Sequence, residues 1–315
     1  MHTLRIVFGL FVLFFVNIVP LSAGEVTHTA RLDLVSLWGE SSYEISFPEG
    51  VSRLEWPMDM HALGAAYVLN YHDFIEVDLS VVTNPWGERN DFMKDYDWID
   101  ESYYTGRTPH EGVDVYSCSE LDSKIFMINA DSRLFLYSYN PFSFALLAGL
   151  NYVELDYRAY NTSQVGYGSW QDQSDMINGP TITYALETTS IALGVSCRID
   201  IDEVLSMTID ASFLPYVAAE DEDNHIRRSR VSQSECTGTG TEVSLGTRFK
   251  FYKDWHLYTE CTRQRISTSG DQTQYWYGDD PATANFDDTG SLYSNIDSDI
   301  DQETFQITLG IGCRF

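Results

Sequence analysis

Alternation of apolar and polar residues dominates this chain. In the last eleven residues, Phe305, Ile307, Leu309, Ile311, Cys313 and Phe315 are apolar, and every residue between them is polar or Gly. Such a period of two puts one face of an extended strand on apolar surroundings and the other on water. The same alternation recurs upstream: Ile75, Val77, Leu79 and Val81 are separated by Glu76, Asp78 and Ser80, and Leu205, Met207, Ile209, Ala211 and Phe213 by Ser206, Thr208, Asp210 and Ser212. Parallel strands buried on both faces would not carry those acids, so the pattern predicts a sheet with a wet interior. Marking every such run gives ten strands, near 30–47, 51–71, 73–83, 120–137, 143–158, 180–199, 204–219, 229–252, 255–268 and 301–315. Their connections alternate between short (Tyr71-His72, Ser138 to Phe142, Asp200 to Glu203, Lys253-Asp254) and long (84–119, 159–179, 220–228, 269–300). An up-and-down barrel demands that parity, because odd and even connections lie at opposite ends.

The expected fold is therefore all-β: a ten-stranded antiparallel up-and-down transmembrane β-barrel over 25–315, with long extracellular loops. Residues 1–24 read as a signal peptide: a basic start at Met1 to Arg5, an apolar run from Ile6 to Leu21, and small residues at Ser22-Ala23-Gly24. After Gly24 no run reaches 18 apolar residues, so no membrane-spanning helix is expected. Composition agrees: 20 Tyr against only 19 Lys+Arg suit a barrel with aromatic rims at the membrane interface. Five cysteines at irregular spacing give neither a zinc set nor a disulfide framework. A lumen this narrow is filled by side chains, which argues against a pore.

Charge narrows the partners. The formal net charge is −28, which excludes a general nucleic-acid binder. The acid is concentrated at the long-connection end: seven Asp and no Lys or Arg in 269–300, and Glu-Asp-Glu-Asp at 220–223. A rim so negative favours cationic partners over mere solubility.

Two short patterns carry candidate chemistry. In Asp95-Tyr96-Asp97-Trp98 and Asp221-Glu222-Asp223-Asn224-His225, ionisable groups stand two residues apart and project to one side of an extended backbone. His225 is a candidate base for a water, Asp223 its orienting carboxylate, and Asp95 with Asp97 acceptors that hold the water from the other side. The bland reading is a solvated acidic loop with a surface histidine. Metal binding by His225 and the carboxylates is a rival that lacks a second histidine, and no Gly-x-Ser-x-Gly elbow points to a serine triad. The surrounding acid predicts a raised pKa for His225.

Together these patterns resemble the omptins, outer-membrane aspartate/histidine endopeptidases. Asp95-Tyr96-Asp97-Trp98 is similar to the family's Asp-x-Asp-Trp, Asp223-Asn224-His225 to its Asp-x-His, and Val51-Ser52-Arg53-Leu54-Glu55-Trp56 to a further family segment. The resemblance implies an aspartic-type endopeptidase with Asp95, Asp97, Asp223 and His225 as catalytic residues. It implies cleavage of cationic peptides or proteins at basic residues, with Asp221 and Glu44 binding the basic side chain. It implies no cofactor beyond lipopolysaccharide, held by basic residues on the barrel exterior; Arg158, Arg198, Arg248 and Lys250 are available. The site would face the extracellular side of the outer membrane. The rival is a non-enzymatic surface barrel, an adhesin or cation-binding protein.

Overall fold

The computed structural model describes residues 26–48, 50–72, 74–99, 112–280 and 287–315. The expected signal peptide lies outside them. Twelve strands occur among the described residues: β1 (Val26–Phe47), β2 (Gly50–Pro57), β3 (Met60–Tyr71), β4 (Ile75–Thr83), β5 (Glu88–Ile99), β6 (Val115–Tyr139), β7 (Phe142–Gly166), β8 (Asp175–Asp200), β9 (Leu205–His225), β10 (Arg230–Tyr252), β11 (Trp255–Trp276) and β12 (Leu292–Arg314). They make ten staves. β1 pairs with β3 along its first half and β2 along its second, and β6 pairs likewise with β4 and β5, so β2–β3 and β4–β5 are each one interrupted stave. Antiparallel pairing of β12 with β1, from Thr29 opposite Arg314 to Ser46 opposite Asp297, closes the ring. Closure leaves no unpaired edge, which hydrocarbon would not tolerate.

Leu32, Leu34, Leu146, Leu193, Val195, Phe213, Val243, Leu245, Leu309 and Ile311 point outward and are exposed. Exposed aromatics bound this apolar band: Tyr139, Phe251, Tyr252 and Trp255 near the short turns, Trp38, Tyr216 and Phe305 higher up. On β9 the band runs from Leu205 to Tyr216. Eleven steps of ~3.3 Å at a tilt of roughly 40° span about 28 Å, close to one hydrocarbon thickness.

The interior has two zones. Near the short turns, Arg133 bridges Glu76 (3.2 Å) and Asp210 (2.5 Å), and Arg198 reaches the other oxygen of Glu76 (2.5 Å). Arg198 and Arg248 therefore belong to the lumen, where both line the same cavity, and not to the lipid-facing exterior proposed for them; alternation along β8 and β10 sets their face. Higher up the filling is apolar. Trp56 stacks on Tyr184 across the ring (centroids 4.7 Å apart, planes 5° from parallel), and Tyr43 and Tyr157 flank the stack. All four are 3% exposed or less. Trp56→Ala would open a cavity no neighbour can fill and is expected to cost about 3–5 kcal/mol. Denaturant unfolding of the refolded barrel measures this, with the exposed Trp86→Ala expected within about 0.5 kcal/mol of the parent.

All four expected long loops are strand over much of their length. β5 and the start of β6 occupy much of 84–119, β7 and β8 most of 159–179, β9 runs on to His225, and β11 and β12 take up much of 269–300. Beyond the apolar band both faces of a stave carry polar residues, so the hydrogen-bond ladder continues where the apolar alternation stops. All five cysteines are free thiols.

Candidate active site

The functional candidates stand on the strand extensions beyond the apolar band. On β5, Met93 is buried on the inward face, and alternation turns Asp95 and Asp97 the same way. The β2–β5 ladder fixes their height: Asp95 lies opposite Leu54 and Asp97 opposite Ser52. Tyr96 faces out instead, where its hydroxyl bonds Glu55 and Lys94 pairs with the same carboxylate.

On β9 the inward residues are Ala219, Asp221, Asp223 and His225, with Asp223 1% exposed. A 3-10 turn (Ile226–Arg228) and Ser229, at φ +49°, lead into β10, which places Arg230 opposite His225 and Ser232 opposite Asp223. His225 Nε2 donates to Asp223 Oδ2 at 2.8 Å. That bond fixes the ring and, with the proton on Nε2, leaves the Nδ1 lone pair available. Asp221 Oδ1 accepts the Ser234 N–H at 2.8 Å.

β5 and β9 are four staves apart, so their side chains meet only across the mouth. Their charges act on one another across it: the Asp95 carboxyl is close enough to Asp97, Asp223, Arg228 and Arg230 to be shifted by each. Buried oxygens between them have no hydrogen-bond partner among the described residues, among them Asp95 Oδ1, Asp223 Oδ1 and Ser232 Oγ. So many orphaned oxygens in one place mark a site for water or ligand.

Burial and neighbouring charge set the protonation of the site. Burial, then the charge of Asp97, holds the Asp95 pKa well above the usual carboxylate range. Burial pushes Asp221 up to about 7, with the charge of Asp223 adding to it and the Ser234 hydrogen bonds opposing. His225 shifts opposite to the sequence-based expectation. Its pKa is lowered, first by burial; Asp223 pulls it up, but Arg230 and Arg228 push it further down. Counting acids along the chain misses both the desolvation and the two arginines folded in beside the ring.

Glu44 does not join the site. Tyr43 and Ile45 are buried on the inward face of β1, which turns Glu44 outward, away from Asp221. A one-residue difference in register exchanges the faces of a strand. Tyr43 stands inward in its place, close enough to Asp221 and Asp223 to be influenced by both. Arg228, Arg230 and the aromatic floor of Trp56 and Tyr184 escaped the sequence reading. Inward alternation with Ser232 and Ser234 was the only signal for Arg230.

Comparison with known proteins gives the family and the fold. The model of the Omptin family matches residues 31–315. Among solved structures, the outer membrane protease OmpT from Escherichia coli superposes with a TM-score of 0.76 at 16% identity, over 92% of this chain and 97% of that one. The outer membrane protein OprG from Pseudomonas aeruginosa reaches 0.36 at 10% identity, over 90% of this chain and 95% of that one. The Pseudomonas putida toluene transporter TodX reaches 0.31 at 8% identity, over 93% and 89%. None of the curated proteins matches by sequence. The OmpT likeness is one of fold, and the family match spans nearly the whole barrel: the chain belongs to the Omptin family, a family of outer-membrane proteases.

Proposed function

We propose that this protein is an endopeptidase of the outer membrane that hydrolyses cationic peptides or proteins at Arg or Lys, its strand extensions facing the cell exterior. One observation carries the reading: an imidazole–carboxylate couple and a carboxyl pair from opposite staves share one cleft lined with unpartnered oxygens. His225 takes a proton from a water held by Asp95 and Asp97, and Asp223 stabilises the imidazolium. The water oxygen attacks the peptide carbonyl, and His225 returns the proton to the leaving amine. Asp95, buried beside the charge of Asp97, holds its proton more readily than an ordinary carboxyl, in keeping with its raised pKa. Asp221, buried with one oxygen lacking a close partner among the described residues, receives the guanidinium or ammonium of the substrate. Export through a cleaved 1–24 segment and a requirement for lipopolysaccharide belong to the same proposal.

The test is hydrolysis of a quenched dibasic peptide by refolded protein with lipopolysaccharide, followed against pH. A lowered His225 pKa keeps the base neutral to below its ordinary value of about 6.5, so kcat should hold down to that point and fall only at lower pH. kcat/KM reports the free enzyme, in which Asp221 titrates near 7, and should begin to fall there. Once bound, the substrate cation keeps Asp221 ionised, which separates the two curves. A kcat that already falls as pH drops from 8 to 7 contradicts His225 as a depressed base. Absence of turnover at any pH leaves the surface-barrel reading.

A further inference from the structure

Attack of water on a peptide carbonyl turns its oxygen into an oxyanion. Asp95, Asp97 and Asp223 surround that position with carboxyls, and a negative intermediate there needs a fixed cation or N–H donor aimed at it. Arg230 is placed to be one. Its Cα lies directly across the β9–β10 ladder from that of His225, and residues so paired carry their side chains together on the same face. Its guanidinium carbon sits 5.8 Å from the centre of the Trp276 ring, a contact that limits its freedom. Its Nε is buried and has no hydrogen-bond partner among the described residues. In a chain with 47 Asp and Glu, a buried guanidinium N–H left unpartnered is costly, and a ligand oxygen would satisfy it. Arg228 also lies near, but it is exposed on the 3-10 turn.

We infer that Arg230 is a further catalytic residue, one that hydrogen-bonds the carbonyl oxygen of the scissile peptide and stabilises the oxyanion; the inference rests on the endopeptidase reading. The step balances without another reactant. The carbonyl π pair moves onto oxygen beside the guanidinium, the water proton goes to His225, and collapse of the intermediate returns the pair and expels the amine. The charge of Arg230 also lies beside the imidazole and adds to its depressed pKa.

The test compares Arg230→Gln and Arg230→Lys with the parent enzyme, barrel integrity being checked by heat-modifiable mobility. Arg230→Gln should lower kcat by roughly 10²- to 10³-fold with KM within about threefold, and Arg230→Lys should recover part of the loss. A phosphinate peptide, an anionic mimic of the tetrahedral intermediate, should bind Arg230→Gln more weakly by a comparable factor. Loss of the neighbouring cation should raise the His225 titration midpoint, read by NMR of the labelled imidazole. A folded Arg230→Gln with kcat within threefold of the parent, or with its loss confined to KM and phosphinate binding unchanged, overturns the inference. His225→Ala run in parallel separates the two claims: if it keeps the parent rate, the endopeptidase reading itself fails, whatever Arg230 does.

Discussion

Replacing His225 by alanine is expected to lower kcat by roughly 10³- to 10⁴-fold while leaving the barrel folded. In the proposed mechanism the imidazole accepts the proton of the water and returns it within a turnover, and its hydrogen bond to Asp223 fixes which nitrogen does so. Asp223→Asn should come close to the same loss: it keeps the shape of the couple but removes the charge that stabilises imidazolium, and lets the ring adopt the other tautomer. Stability should change little in either variant, because both side chains lie above the apolar core formed by Trp56, Tyr184 and their neighbours. Hydrolysis of the quenched peptide by purified, refolded variants measures the effect.

The second large effect concerns specificity. Asp221→Asn is expected to lower kcat/KM for substrates with Arg or Lys at the cleavage site by ~30- to ~1,000-fold, equivalent to about 2–4 kcal/mol for a buried charge pair that loses one member. The carboxyl is 6% exposed, held by Ser234 N–H on one oxygen, with Tyr184 beside it and the other oxygen without a close partner among the described residues. That geometry leaves one acceptor for an incoming cation. Substrates with a neutral residue at that position should respond much less, since they never made the contact. Competition between Arg-containing and norleucine-containing peptides in one reaction reads the ratio directly; an unchanged ratio would show that Asp221 does not set the preference.

Much of the barrel was legible because lipid enforces the alternation. Leu309 and Ile311 face out and Thr308 and Gly312 face in, as period two requires. The upper reaches were not legible for the same reason. Residues 88–99 and 269–276 leave the hydrocarbon, lose their apolar face and read as loop, yet the ladder goes on. Asp95, Asp97, Asp223 and His225 were visible because two-residue spacing survives any such misreading: it gives each pair a common face wherever the strand ends. Glu44 shows the converse. An acid taken singly from the resemblance, with no partner two residues away, has no fixed face, and here Tyr43 took the inward place. The sign of the His225 shift needed three dimensions, since the burying residues and Arg230 arrive from other strands or from beyond the turn.

In the proposed mechanism β5 and β9 act on one water. A double-mutant cycle on kcat, with Asp95→Asn, His225→Ala and the pair combined, measures that coupling. Groups that serve a single step are strongly non-additive, so the double variant should be at most about tenfold slower than the slower single one. Losses that instead multiply, with the combined variant down by the product of the two, would mean that the two strands work independently and would contradict the shared site.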